Sequence, residues 1–203
     1  MIKSVILDLG KVIVPFDFQR AYKGMEARSG VPAEVIRRRL GETDLFRQFE
    51  SGKISGLNFA HEVSVLLNIS IPYDEFIPIW TSIFLPETLI SERVIEELRD
   101  RARLILLSNT NVIHFDMLRQ SYPLLRHFHA TVVSYEVGAM KPDAAIYEHA
   151  IRAAECGAAE CLFFDDMPEN VEAARGCGIQ AEVFESEAQL LAVLTRNGIS
   201  LFD

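Results

Sequence analysis

The sequence predicts an α/β fold: a Rossmann-like parallel sheet sandwiched by helices, with a small helical-bundle domain inserted into it. Three observations predict it. Five short apolar runs read as buried strands: Val5 to Leu9, Leu104 to Leu107, Thr131 to Ser134, Leu162 to Phe164 and Ala181 to Phe184. Helical patterns separate the last four, and strands alternating with helices imply right-handed β-α-β crossovers and parallel pairing. Between the first and second runs, roughly residues 15 to 86 hold no core strand, which is too much chain for a single crossover.

Taken in order, Val5-Ile6-Leu7 is a continuous apolar run bounded by Gly10, the pattern of a strand covered on both faces. The insertion reads as four helices, through Phe18-Tyr22-Met25, Val35-Ile36-Leu40, Phe59-Val63-Leu66-Leu67 and Phe76-Ile79-Trp80-Ile83. Breakers fall between them at Gly30, Pro32, Gly41, Gly52, Gly56 and Pro72. These helices should form a bundle above the carboxyl edge of the sheet, over Asp8. Ser91 to Arg101 puts Val94, Ile95 and Leu98 on one face, and Ala144 to Ala154 does the same with Ile146, Ala150 and Ile151. Val171 to Cys177 ends at Gly178, a helix stop. The expected division is a core of residues 1–14 and 87–203 with a helical domain of residues 15–86.

A chain of 203 residues holds one sizeable core, or one core and a small accessory domain. Hydrophobic residues make up 49%, which excludes a disordered chain. Twenty basic residues against 29 acidic ones give a net charge of -9. That argues against nucleic acid or an anionic membrane surface as partner. Arg37-Arg38-Arg39 is the one dense basic run, and it lies in a helical pattern as a solvated face. Cys156, Cys161 and Cys177 show no C-x-x-C spacing, and Cys161 sits in a strand pattern as a small hydrophobe, which suits a reducing cytoplasm. The chain opens into a strand with no signal-peptide h-region, and no apolar stretch reaches the length of a membrane span.

Four segments carry the chemistry, each at or just after a strand's carboxyl end, where open α/β sheets place their ligands. Asp8 follows the first strand. Ser108-Asn109-Thr110-Asn111 follows the second. Its hydroxyl, amide and backbone N–H groups suit an anion; a helix cap is the structural alternative, and both can hold. Lys141-Pro142-Asp143 opens a helix and holds Lys141 before its first turn. Asp165-Asp166 follows Phe163-Phe164. Adjacent carboxylates repel, and a divalent cation relieves that repulsion; magnesium takes such oxygen ligands. A capping pair is again the alternative. Together the set offers a nucleophile, phosphate donors, a cation and metal ligands on one sheet edge, as phosphoryl transfer requires.

On these motifs the chain resembles the haloacid dehalogenase-like hydrolase superfamily over nearly its whole length, in the subclass with a helical cap after the first motif. Leu7-Asp8-Leu9-Gly10, Ser108 to Asn111, Lys141-Pro142, Phe163 to Asp166 with Asn170, and Phe49-Glu50-Ser51-Gly52-Lys53-Ile54-Ser55 are similar to bacterial glucose 1-phosphate phosphatases and to the phosphatase half of epoxide-hydrolase-type proteins. The resemblance implies that Asp8 attacks phosphorus and forms an aspartyl-phosphate on a small phosphorylated metabolite. It implies magnesium held by Asp8, the Gly10 carbonyl and Asp166, with Asp165 as a further ligand or an outer partner. It implies that Ser108 and the Asn109 backbone hold phosphoryl oxygens and that Lys141 neutralises charge.

Gly10 departs from the superfamily's usual pattern, which places a second aspartate there as general acid and base. Either the leaving group needs little protonation, as the anomeric oxygen of a sugar 1-phosphate would in part, or water, the substrate or a cap residue supplies the proton; Asp17, shortly after the first motif, is a candidate stand-in. Two competing functions follow: a metal-independent 2-haloacid dehalogenase, against which Asp165-Asp166 argues, and a ligand-binding protein without turnover, for which Gly10 is the support. Among other residues, His114 follows the Ser-Asn loop closely enough to line the site. His61, His127, His129 and His149 lack metal-ligand spacing, Trp80 with Phe76 and Phe84 reads as helical core, and nothing orients Arg20 or Lys53.

Overall fold

The computed structural model describes residues 1–202. Five strands form one sheet in the order β3-β2-β1-β4-β5: β1 (Ser4–Leu7), β2 (Arg103–Ser108), β3 (Ala130–Val133), β4 (Cys161–Asp165) and β5 (Gln180–Val183). Every pair is parallel, with Leu7 opposite both Leu106 and Phe164. The order reverses at β1, so its carboxyl end is the switch point where crossover connections diverge and leave a crevice.

The period-two alternation of a strand divides the apolar residues between the two faces. Val5, Leu7, Leu104, Leu106, Leu162 and Phe164 pack to one side with α6 (Glu92–Arg101), α7 (Val112–Ser121) and α11 (Glu187–Arg196). Ile6, Ile105, Leu107 and Phe163 pack to the other with α9 (Ala144–Ala154) and α10 (Pro168–Gly176). Burial on both faces explains why these strands read as continuous apolar runs.

Between β1 and α6 lie α1 (Phe18–Ser29), α2 (Ala33–Gly41), α3 (Leu45–Glu50), α4 (Gly56–Leu67) and α5 (Tyr73–Thr81). They bury a cluster of their own around Phe49, Phe59, Phe76 and Trp80, which reaches α7 through Ile113. Side-chain caps start α1 and α4: Asp17 accepts from the Gln19 amide and Ser55 from the Asn58 amide. The two segments linking these helices to the sheet run side by side. Asp17 N donates to Ile83 O at 2.8 Å, Leu85 N to Pro15 O at 3.0 Å and Leu89 N to Ile13 O at 2.8 Å.

The structure adds elements to the expected set. α3 was not anticipated; at six residues it is too short for a periodic signal. α7 and α11 complete the helical layer, and α8 (Ser134–Val137) takes up Ser134, read from sequence as the end of the third strand. β1 closes at Leu7 rather than Leu9, which puts Asp8 on the loop just beyond it.

Candidate active site

The carboxyl ends of β1, β2 and β4 lie side by side, and all four sequence-predicted segments meet there. The Asp8 amide donates to Phe164 O at 3.0 Å, which fixes the residue between β1 and β4. Beyond it the chain turns tightly, with Leu9 O accepting from both Ile13 N and Val14 N. Position 10 is crowded by an aromatic ring: a Cβ on Gly10 would stand 2.7 Å from Cε1 of Phe16, so a side chain there would require that ring to shift. The Phe16 ring thus stands against the position where the superfamily usually carries its second aspartate.

Lys141 is the hub. Its buried ammonium lies 2.7 Å from Asp8 Oδ1 and 2.6 Å from Asp165 Oδ2, and donates to Leu107 O at 3.3 Å. The Asn109 side chain clamps the Lys141 backbone, accepting from its N–H at 2.8 Å and donating to its carbonyl at 2.9 Å. Asp165 is fully buried with both oxygens engaged. Oδ2 meets Lys141, and Oδ1 accepts from Met167 N and Asn170 Nδ2, each at 2.9 Å. Asn170 is held in turn by the Tyr147 hydroxyl, which donates to its carbonyl at 2.8 Å. Asp166 is half-buried, and among the described residues no side chain donates to its carboxylate.

Asp8, Asp165 and Asp166 each place a carboxylate oxygen within 4.8 Å of the others. Lys141 offsets one charge of the three. Burial pushes the Asp8 carboxyl up to about 7, with Asp165 adding to the rise and Lys141 opposing it. Burial likewise raises Asp166, and Asp165 adds to it against Lys11 and Lys141. Burial works against the Lys141 ammonium, but Asp8 and Asp165 outweigh it and hold its pKa above the ordinary value. An all-oxygen donor set with uncompensated negative charge fits a hard divalent cation such as magnesium.

Ser108 and Asn111 divide the two roles read from their segment. Ser108 is buried at the end of β2, and its hydroxyl makes only a long 3.4 Å contact to Asn109 O, which leaves it available to an anion. Asn111 caps α7, accepting from His114 N at 3.0 Å. Between them the Thr110 backbone is braced by Ser134, whose hydroxyl accepts from its N–H at 2.9 Å and donates to its carbonyl at 3.0 Å.

His114 lines the site but is neutral and fixed. Its Nε2 lies 3.2 Å from Trp80 O and its Nδ1 3.1 Å from Asn111 Nδ2. Those partners assign the proton to Nε2, so His114 donates to α5 and accepts from Asn111. Burial lowers its pKa to about 4. Trp80 and Phe76 stack inside the inserted helices as core. Asp17 is used as a cap, and Arg20 donates to Ser82 O at 2.6 Å, so both are taken up by structural bonds.

A pocket of about 60 Å³ opens over the loop after Asp8, among Gly10, Phe16, Phe84, Ser108, His114 and Glu50. Glu50 is the functional candidate that sequence reasoning passed over. A larger surface groove of about 530 Å³ along α4, beside His61 and Tyr73, lies apart from the carboxylates and gathers no comparable chemistry.

A family model described as haloacid dehalogenase-like hydrolase matches residues 2–178. The chain belongs to the haloacid dehalogenase-like hydrolases. Among family relatives, the D-ribitol-5-phosphate phosphatase of Bacteroides thetaiotaomicron is 26% identical over 193 residues, covering 92% of this chain and 93% of its own. The solved structure of a HAD-like family hydrolase from Porphyromonas gingivalis is 28% identical, with a TM-score of 0.81 over 97% of this chain and 98% of that one. A HAD family enzyme of Bacteroides thetaiotaomicron, crystallised with magnesium and inorganic phosphate, shares the fold at 23% identity, with a TM-score of 0.83 over 92% and 96% of the two chains.

Proposed function

We propose that the protein is a magnesium-dependent phosphatase that hydrolyses a small phosphorylated metabolite, a sugar phosphate by preference, through an aspartyl-phosphate on Asp8. One observation carries the proposal: Lys141 ties Asp8 to Asp165 at 2.7 and 2.6 Å beside the free carboxylate of Asp166. The phosphatase relative and the fold shared with a magnesium and phosphate complex support it.

Asp8, the Gly10 carbonyl and Asp166 would hold magnesium. When bound, the ion would neutralise the carboxylates and polarise the phosphoryl group. Asp165, with partners on both oxygens, suits an outer position that orients Lys141 rather than direct ligation. Ser108 Oγ and the backbone N–H of Asn109 would receive phosphoryl oxygens. Asp8 then attacks phosphorus, Lys141 offsets the gathering charge, and water hydrolyses the acyl phosphate. The inserted helices act as the cap that chooses the substrate. A dehalogenase has no use for a ligand at Asp166, and the acidic cluster favours the phosphatase.

The test is a phosphate-release screen over sugar phosphates, nucleotides and phosphorylated organic acids. Activity should require magnesium, vanish in EDTA and be absent in Asp8→Asn. Release unchanged by EDTA, or retained in Asp8→Asn, would sink the proposal.

A further inference from the structure

We propose that Glu50, carried by the inserted helices, is the general acid and base that the loop after Asp8 lacks. The inference deepens the phosphatase reading above and rests on it.

Position 10 carries no acid, and the Phe16 ring fills the space beside it. For a leaving group that needs a proton, the donor therefore comes from elsewhere around the substrate. Glu50 lines the same pocket as Gly10, Ser108 and Asn109. Among the described residues its half-buried carboxylate has neither a hydrogen bond nor an ion pair. A desolvated carboxylate with no partner is costly in a merely structural position. Direction also favours it. In-line displacement places the leaving oxygen opposite the attacking Asp8, away from the sheet edge and toward the inserted helices.

The backbone holds Glu50 firmly. It ends α3, next to Phe49, whose ring stacks on Phe59 with centroids 4.4 Å apart. Two residues on, Gly52 has φ 72, and a Cβ there would run into the carbonyl of Tyr135 on α8. Close contact between the two backbones thus sets where Glu50 stands over the core. Burial lifts its carboxyl to about 7, against the pull of Lys141, and a group titrating near neutral pH can both give and take a proton. The other titratable groups on the elements around it are Tyr135 and Glu136 on α8, His61 and Glu62 on α4, neutral His114 with Asp116 and Arg119 on α7, and Arg47 and Lys53 on its own segment. Of the charged groups, Lys141 is the one that opposes the effect of burial on Glu50.

In the first step an Asp8 oxygen bonds to phosphorus. The bond from phosphorus to the ester oxygen breaks, its electron pair stays on that oxygen, and the Glu50 proton converts it to an alcohol. In the second, water attacks the aspartyl-phosphate and gives a proton to the Glu50 carboxylate. The bond from phosphorus to Asp8 breaks with its electrons returning to Asp8, and inorganic phosphate leaves.

The test is Glu50→Gln, nearly isosteric, assayed on two esters. Removing acid catalysis should lower kcat/KM for the best sugar phosphate of the screen by about 10²–10⁴. p-Nitrophenyl phosphate needs no protonation of its leaving group, so its kcat/KM, which reports formation of the aspartyl-phosphate, should fall less than about tenfold. It should show a burst of one p-nitrophenolate per site, followed by slow turnover, because the water then lacks its base. Equal losses on both esters without a burst, or no loss on either, would overturn the role of Glu50. If Glu50→Gln does not fold, Glu50→Ala answers with added formate: restored turnover supports the inference and no restoration overturns it. Failure of the wild-type protein on every phosphate ester would instead fail the phosphatase reading, so the two are told apart.

Discussion

Three side chains at the candidate site, His114, Glu50 and Asp8, have pKa values moved by burial, and they tilt stability in opposite directions. His114 is lowered from 6.5 to about 4, so between those values the unfolded chain binds more protons, and stability falls as pH drops through that window. Glu50 is raised from 4.5 to about 7. There the folded chain binds more protons, and its contribution is lost as pH rises from 4.5 through 7. Asp8, raised from 3.8 to about 7, adds to the second trend when no metal is bound. The wild-type profile is therefore flattened by cancellation, and differences between variants expose the parts. Urea unfolding from pH 4 to 7 should show the stability of His114→Gln relative to wild type improving as pH falls, by on the order of 3 kcal/mol over the window. Glu50→Gln relative to wild type should improve as pH rises. A parallel pair of curves for His114→Gln would mean that His114 titrates normally and does not lock α7 to α5.

At the level of elements, the decisive joint is the turn after α3. Gly52 and Gly30 both follow helices with positive φ, at 72 and 75, but a Cβ at Gly30 meets nothing within 4 Å while one at Gly52 strikes Tyr135. Alanine at Gly30 should cost about 1 kcal/mol for its backbone conformation alone. Alanine at Gly52 adds a backbone collision, so it should cost roughly 1–3 kcal/mol more and lower kcat by shifting Glu50. Urea midpoints and steady-state rates for the two variants measure the difference, and equal costs would remove the close approach as the positioning device. This joint is also where sequence reasoning stopped. The strands and Asp8, Ser108, Lys141 and Asp166 were legible because doubly buried strands write continuous apolar runs and their carboxyl ends are marked by polar residues. α3 spans under two turns, so it leaves no periodicity. Glu50 gains meaning only when the insertion folds back over the sheet and leaves its carboxylate partnerless. The Asn109 clamp on the Lys141 backbone joins residues 32 apart through side-chain atoms, and no local pattern encodes it.

For the molecule as a whole, the sheet edge gathers more negative charge than the protein itself offsets. Asp166 is the member to whose carboxylate no side chain donates among the described residues, and burial and Asp165 both disfavour its charged form. A cation that binds the native state alone stabilises it by mass action, by about 2.7 kcal/mol at a hundred times its Kd. For a chain of 203 residues that corresponds to a rise in Tm of roughly 5–10 °C. Asp166→Asn separates this gain from the cost of the empty cluster. Without metal it removes a repelled charge, so its Tm should exceed that of the wild type. With saturating magnesium it has lost a ligand, so its Tm should barely move while the wild type overtakes it. The crossing of the two proteins as magnesium is added is the signature of a carboxylate kept for a ligand against the interest of the fold. Calorimetry with and without EDTA reads it without any enzyme assay. A wild-type Tm indifferent to magnesium would remove the ion from the site, and an undiminished response in Asp166→Asn would place its ligands elsewhere.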